Sequence, residues 1–394
     1  MIAHEKIRYQ KIKIMVKKHK HYFVNWIDGM KINKDHFISM ENAMIYQHHV
    51  VGKLLINPYN FGILPGSDGE SALDISFEID LDNHVNVKIN HCKAITAGGL
   101  IIDLDTNSPE LSEFEISVKD FDLQTAESNS GEFYIVLKIN PYGRVPVGNA
   151  DSAENPPRHP YVIPEYGVFI IPVEQMSKAG FGDFFQVIGK LIIKDNIPEL
   201  DKDYIPPCAR VSSDKRLLAI ESRLLELFSK IELDILVIIR KIHAKEQKTP
   251  LAGSVLFIAE KIAALHGLQM TGQRLFLKHS PPVSLFEAIS QFARGLRNTI
   301  NTETPERKEE MINYFSDWCI LKQGELDKLI IDAANFSYNH FEIKTVLSKL
   351  MTFIETMSEL FATLSQLDYI GKRRDTQIYI KEEGKSKKSF LADD

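Results

Sequence analysis

The sequence has few cysteines and no apolar run that could cross a bilayer. Its three cysteines, Cys92, Cys208 and Cys319, are far apart in 394 residues, and none belongs to a CxxC or Cys/His cluster. Isolated cysteines of this kind are expected to be reduced and buried, as in cytosolic proteins. Apolar runs such as residues 235–239 are far shorter than the roughly 18 residues that a membrane span needs, and the first residues lack the apolar core of a signal peptide. We therefore expect a cytoplasmic protein.

Motifs of common enzyme classes are absent as well. The chain has no P-loop, no GxGxxG, no HExxH and no GxSxG. His48 and His49 are neighbours, so on a helix their imidazoles point about 100° apart and cannot share a metal ion. The formal net charge of −6 offers no general attraction for nucleic acid. We expect no enzymatic activity, no cofactor, no metal and no nucleic-acid partner.

The charge is unevenly distributed, because basic residues are concentrated before residue 21. These are Lys6, Arg8, Lys11, Lys13, Lys17, Lys18 and Lys20. In the same segment, Ile12, Ile14 and Val16 lie at every second position. Sheet edges are commonly protected by lysines, so the pattern favours a solvated edge strand over a contact with an anionic surface.

An acidic stripe, Asp74, Glu78, Asp80 and Asp82, lies on one face of a predicted strand. Two carboxylates at a suitable separation are the catalytic pair of a glycosidase. Same-strand neighbours repel each other, which argues against a dense apolar environment around them. We favour the solvent-exposed face of a strand, or a contact for the basic surface of a partner.

Before about residue 205, apolar residues recur at every second position. The alternating or apolar segments are Leu73 to Leu81, Val85 to Ile89, Phe114 to Val118, Phe133 to Ile139, Tyr166 to Val173 and Phe185 to Ile193. Short strands separated by turn residues predict a sandwich-like all-β domain, a shoulder, over residues 1–205. Pro141 to Pro164 contains six prolines and is predicted to be a long loop.

After residue 205 the period changes to that of helices. The joint is expected to be stiff, because each proline fixes its own φ and keeps the preceding residue extended; it consists of Tyr204, Pro206, Pro207 and Cys208. Apolar residues then recur at steps of three and four and predict an antiparallel helical bundle, a neck, over residues 206–370. The protein is thus expected to be α+β and multidomain.

The first and last predicted helices of this bundle carry regular apolar seams. Their members are Leu217, Leu224, Ile231, Ile238, Leu347, Ile354, Phe361 and Leu364. Such a seam serves equally well as the core of one chain or as a trimer interface, and both interpretations stay open. Shorter helices are predicted over residues 254–267 and 284–300, and a longer one over 305–335 with a bend at Gly324.

The most distinctive segment runs from Trp26 to Phe37. A turn at Gly29, which provides φ freedom, leads into a helix that Asn33 can cap. On this helix six residues fall at steps of three and four, namely Phe37, Met40, Met44, His48, Val51 and Leu55. Aromatic residues and methionine are enriched in the buried centres of interfaces. We expect Trp26, Gly29, Met30, Ile32, His36 and Phe37 either to anchor the shoulder or to contact a partner.

Four segments resemble the TssK family, baseplate proteins of bacterial type VI secretion systems. Residues 26–37 resemble the family's W-x-x-G-M-x-(L/I)-x-x-x-H-F signature, and residues 204–208 its Y-x-P-P-C segment. Pro282 to Phe286 with Gly295-Leu296 resembles the family's P-x-x-L-Y…G-x-L helix, and Tyr338 to Phe341 its Y-(D/N)-H element. The segments occur in the family's order and span most of the chain.

The resemblance implies a structural, non-enzymatic protein. A TssK-like protein would be a homo-oligomer, expected to be a trimer, that links the baseplate wedge of TssF, TssG and TssE-like proteins to a membrane-side anchor. It would lie in the cytoplasm, at the inner face of the cytoplasmic membrane when assembled. The alternative is a phage-tail-like receptor- or glycan-binding protein.

The C-terminal residues depart from the family pattern. Residues 371–394 form a short charged tail with room for one strand, which is too little apolar surface for an independent domain. We therefore expect the family's head domain to be largely absent.

Overall fold

The computed structural model of the chain describes residues 20–66, 71–79, 84–105, 113–117, 131–174, 176, 182–194, 197–319, 321–322 and 324–371. The predicted basic strand before residue 19, the acidic residues Asp80 and Asp82 and the tail from residue 372 lie outside this part of the chain. The shoulder contains helix α1 (Lys34–Leu55) and the strands β1 (Gly62–Ile63), β2 (Leu73–Ile79), β3 (His84–Ile95), β4 (Ile101–Leu104), β5 (Glu113–Ser117), β6 (Glu132–Val147), β7 (Tyr161–Pro172), β8 (Phe185–Lys194) and β9 (Ile197–Leu200).

The strands form two antiparallel sheets. In the first, β3 pairs with β1, β2, β4 and β5; in the second, the order is β7-β6-β8-β9. The predicted alternation is visible in the burial of β3, where Val87 and Ile89 are fully buried and Lys88 between them is exposed, whereas Phe133 to Leu137 of β6 are buried on both faces. A core cluster of Tyr134, Val136, Ile171, Phe185, Val187 and Tyr204 supports the second sheet. The prediction of an α+β protein, with strands in its N-terminal part and helices in its C-terminal part, is confirmed, although the N-terminal part also contains α1.

The predicted long loop from Pro141 to Pro164 is shorter than expected, because strands occupy both of its ends and only residues 148–160 connect them. Strand β6 continues to Val147 and β7 begins at Tyr161. The pairing shifts between Asn140 and Val145 and then resumes, with Pro146 opposite Val162. A β-bulge and the position of β7 at the edge of its sheet accommodate prolines that would break a central strand.

The second half of the chain is helical. Its helices are α2 (Lys215–Ala244), α3 (Pro250–Phe276), α4 (Val283–Ile300), α5 (Pro305–Cys319), α6 (Glu325–Ala334) and α7 (Ile343–Gln366), with 3₁₀ turns at Val211–Ser213 and Leu277–His279. The predicted helix over residues 305–335 is two helices. Gly324 lies between them with a φ of +82°, a left-handed conformation that glycine adopts without strain.

The contacts of α2 give the direction of two of its neighbours. His243 lies near Glu260 and Phe228 near His266, so α2 and α3 are antiparallel, as predicted. Arg223 lies near Glu355 and the Asp234 carboxylate accepts a hydrogen bond from Ser365, so α2 and α7 are parallel. This parallel pair was not predicted, because apolar periodicity does not specify direction.

The chain divides into two compact units that do not follow chain order. The first contains residues up to 222 together with 275–286 and 337–348; the second contains 223–274, 287–336 and the residues from 349 on. The boundary near residue 205 stays a prediction. In the first unit, Phe341 and Glu342 pack against the second sheet although they lie far along the chain.

Candidate partner-binding surface

Helix α1 begins where the sequence predicted. The Asn33 side-chain oxygen accepts hydrogen bonds from the backbone N–H groups of Asp35 and His36, at 3.1 and 3.2 Å. His36 Nδ1 in turn accepts from the backbone N–H of Asn33 at 3.2 Å, which completes a reciprocal capping box. His36, one of the predicted contact residues, thus has a local role at the helix start.

Trp26 packs against the start of α1. Its ring centroid lies 6.0 Å from that of His36 and 6.3 Å from that of Phe37, both in tilted arrangements. A turn closed by the Met30 N–H bonding to the Ile27 carbonyl brings the aromatic rings together. Gly29 in this turn has a φ of +78°, as its predicted role requires.

The rings remain largely accessible. Trp26 is 46% exposed, Phe37 50% and Ile32 57%, whereas Met30 is half-buried. Side chains that only anchored the shoulder would be buried more completely. Within the described chain, Trp26, Ile32 and Phe37 are therefore exposed side chains.

The apolar side of α1 faces solvent. Phe37, Met44, Val51 and Leu55 lie on one side of the helix and are all exposed, with Leu55 at 74%. We call these four residues the α1 apolar stripe. An apolar stripe on a helix normally faces the core. Its exposure is the main feature of this surface that periodicity alone did not indicate.

Polar contacts and one close backbone approach hold α1 on the shoulder. Lys53 Nζ lies 2.6 Å from the Asp183 carboxylate, and Glu41 pairs with Arg144. A Cβ on Gly52 would come within 2.6 Å of the Gly99 carbonyl oxygen, so only glycine permits this approach. These contacts orient α1 and leave its apolar stripe free.

The predicted joint is buried and paired with β1. The Ile63 N–H donates to the Pro207 carbonyl at 2.7 Å, and the Ala209 N–H donates to the Ile63 carbonyl at 2.9 Å. The Cys208 thiol donates to the Pro206 carbonyl, and burial raises the pKa of this thiol well above its ordinary value. Cys92 is likewise buried, whereas Cys319 is only half-buried, in contrast to the prediction that all three are buried.

A buried ionic network supports the shoulder, and sequence reasoning missed it. Lys190 Nζ lies 2.9 Å from Glu132 and 2.8 Å from Glu342, and Glu342 also accepts a 2.6 Å hydrogen bond from the Tyr134 hydroxyl. Burial lowers the pKa of Lys190, but hydrogen bonds to both carboxylates outweigh it and raise the pKa overall. The available signal was a lysine inside a largely apolar strand, Phe185 to Ile193.

His340 forms a second buried polar contact, which joins the segment before α7 to β1. Its Nε2–H donates to the Phe61 carbonyl at 2.8 Å, so Nδ1 is unprotonated and accepts from the Tyr338 hydroxyl at 2.7 Å. Burial lowers the pKa of His340 to about 4. The charged and polar groups of Lys190 and His340 are paired with other groups of the protein. These pairings indicate a structural role for both residues.

The eight predicted seam residues are all buried inside the single chain. They are Leu217, Leu224, Ile231, Ile238, Leu347, Ile354, Phe361 and Leu364, each at most 1% exposed. Side chains already covered in one chain have no surface left to present to a copy. Of the two open interpretations, the burial therefore supports the intramolecular core.

The part of the chain that the structure describes contains no group of three or more His, Cys, Asp or Glu side chains placed to hold a metal ion. Nor does any helix within it have the length and apolar character that a membrane crossing requires.

A solved structure shares this architecture. A crystal structure of TssK aligns over 86% of this chain and 69% of its own, with a TM-score of 0.50 and 13% identity. The fold is that of TssK. A TssK from the type VI secretion system of EAEC, solved with a nanobody, aligns over 80% of this chain and 68% of its own, with a TM-score of 0.45 and 13% identity.

A third TssK-fold match comes from a type VI secretion TssK–TssF–TssG baseplate subcomplex. It aligns over 86% of this chain and 99% of its own, with a TM-score of 0.44 and 11% identity. The last two scores fall below 0.5, so the assignment of the TssK fold rests on the first. No family model matches the chain, and no curated protein matches it.

Proposed function

We propose that this protein is a structural baseplate component of a type VI secretion system with the role of a TssK. It links wedge proteins similar to TssF, TssG and TssE to a membrane-side anchor, and it acts without enzymatic activity or a cofactor. The proposal is supported by the TssK fold and by the four family-like segments, each of which lies within the described residues.

The observation that carries the proposal is the exposed apolar surface formed by Trp26 and the α1 apolar stripe. Large apolar side chains clustered at a rigid, capped helix are typical of a protein-binding surface. Polar contacts position α1, so the stripe is presented without further rearrangement. We assign the wedge contact to this surface.

We propose that the protein forms a trimer. Because the seam is buried within each chain, the contacts between subunits must be made by exposed side chains elsewhere. Light scattering of the purified full chain measures the mass directly. A mass of three chains at micromolar concentration supports the proposal, and a monomer under the same conditions contradicts it.

Wedge binding is tested by co-purification with the TssF- and TssG-like products of the same gene cluster. We expect the double variant Met44→Asp/Val51→Asp to reduce recovery of these partners at least about tenfold, because two charges at the centre of an apolar interface would be desolvated. The matched control is Leu233→Asp, at an exposed apolar residue on α2.

Both positions of the double variant are exposed, so its melting temperature should remain close to that of the unchanged protein. Unchanged recovery of both partners with the double variant would refute the assignment of this surface. Failure of the unchanged protein to recover either partner would refute the proposed function itself.

A further inference from the structure

Two sheet edges of the shoulder border a common groove. Strand β2 pairs only with β3 among the described residues, and β9 pairs only with β8. The groove has a volume of about 910 Å³ and is lined by residues 75–77 of β2, Ile192 of β8, residues 198–200 at β9 and residues 201–203 after it. An unpaired strand edge presents backbone N–H and C=O groups that can bind a further strand.

The groove has an apolar floor and an acidic rim. Ile75 and Phe77 project from β2 toward the floor, together with Ile192 and Leu200 from the second sheet; all four are half-buried. Such half-buried apolar side chains gain further burial when an apolar strand covers them.

Acidic residues surround this floor. Asp74 and Glu78 are exposed on the outer face of β2, and Glu199, Asp201 and Asp203 line the other side, where Lys202 is the basic residue among the lining side chains. Asp203 is already paired with Lys344 at 2.8 Å. The charge of the rim is therefore predominantly negative.

The chain contains a segment with the complementary pattern. Residues 11–17 read Lys-Ile-Lys-Ile-Met-Val-Lys, with Ile12, Ile14 and Val16 on one side of an extended chain and lysines at 11, 13 and 17 on the other. Seven residues match the seven of β2, about 23 Å as strands. The surrounding residues add further positive charge at Lys6, Arg8, Lys18 and Lys20.

We propose that residues 11–17 of this chain bind in the groove as an added strand beside β2. Ile12, Ile14 and Val16 cover the apolar floor, and Lys11, Lys13 and Lys17 face Asp74 and Glu78 across the strand pair. Opposite charges directly across a strand pair are favourable. Strand β2 is the pairing edge, because Pro198 leaves β9 without one of its backbone donors. This inference does not depend on the proposed baseplate role.

Hydrogen exchange of the full-length protein, followed by mass spectrometry, tests the proposal. In the unchanged protein we expect the amides of residues 11–17 to exchange at least about tenfold more slowly than in a free peptide of that sequence. The triple variant Lys11→Glu/Lys13→Glu/Lys17→Glu should lose this protection and should also speed exchange in residues 73–79. Free-peptide rates at residues 11–17 of the unchanged protein would overturn the proposal.

A charge exchange distinguishes lost binding from lost folding. Adding Asp74→Lys and Glu78→Lys to the triple variant should restore the protection of residues 11–17. The matched control reverses the basic residues of the tail, Lys385→Glu/Lys387→Glu/Lys388→Glu, and should leave residues 11–17 and 73–79 unchanged. Loss of the protection in the control variant would contradict the proposed pairing. So would a charge exchange that fails to restore the protection while the rest of the chain remains protected.

Discussion

Lys190 Nζ lies 2.8 Å from Glu342 Oε1, so a strand of the second sheet is tied to the segment just before the last helix. The side chain of Lys190 is 7% exposed and that of Glu342 is 21% exposed. The same Oε1 accepts the hydrogen bond of Tyr134. This contact explains why residues 337–348 belong to the compact unit of the sheets.

We expect Glu342→Gln to destabilise the protein by about 2–4 kcal/mol, because it leaves a buried ammonium with only the half-exposed Glu132 as its charged partner. Urea unfolding measures this change. The control is Glu355→Gln, which removes an exposed pair with Arg223 and should cost less than about 1 kcal/mol. Equal effects of the two substitutions would contradict the importance of the buried network.

Gly62 and Gly29 both have a positive φ but differ in how closely other atoms surround the position that a Cβ would take. In Gly62→Ala, the new Cβ would lie 2.0 Å from the Pro207 carbonyl oxygen at a φ of +119°, and we expect a loss of at least about 3 kcal/mol. In Gly29→Ala, nothing lies within 4 Å of the Cβ, so only the backbone strain of about 1–2 kcal/mol remains. Thermal and urea unfolding of both variants test the difference; similar losses would show that the joint does not depend on this close approach.

The pH dependence of stability should include a contribution from His340. Its pKa falls from the ordinary 6.5 to about 4 on folding. Between these two pH values, His340 therefore binds a proton more readily in the unfolded chain than in the folded one. Stability should therefore decrease as the pH falls from about 6.5 toward 4, by at most about 3 kcal/mol from this residue.

His340→Gln can retain both hydrogen bonds but does not titrate, so its stability should vary less with pH over this interval. Urea unfolding at several pH values compares the two proteins. Parallel pH profiles would show that His340 does not contribute.

Ile354→Asp tests the core of the helical half. Ile354 is completely buried, so a carboxylate there would be desolvated, and we expect a loss of more than about 4 kcal/mol or failure to fold. Leu233→Asp places the same charge at a residue that is 66% exposed and should change stability by about 0.5 kcal/mol or less. Circular dichroism during thermal unfolding measures both. A normal melting temperature for Ile354→Asp would refute its placement in the core.

Local patterns predicted much of the fold. The change of period near residue 205 separated strands from helices, and Asn33 marked the start of α1. Spacing alone identified the apolar positions of the seam, and the structure shows that these positions are buried within the chain. These features depend on residues a few positions apart, which the sequence presents directly.

The candidate surface was predicted only in part. Trp26 and Phe37 were identified, but the exposure of Met44, Val51 and Leu55 was not, because an apolar stripe looks the same whether it faces the core or solvent. Contacts distant in sequence decide this, namely Lys53 with Asp183 and Glu41 with Arg144.

Residues close together in the chain were enough to predict most strands and helices, the start of α1 and the apolar positions of the helices, since these depend on backbone preferences and side-chain spacing within a few turns. The parallel direction of α2 and α7, the pairing of Lys190 with Glu342 and the outward-facing α1 apolar stripe could be read only from the folded chain. Each of these is a choice between packings of similar local energy. Contacts between residues far apart along the chain make that choice.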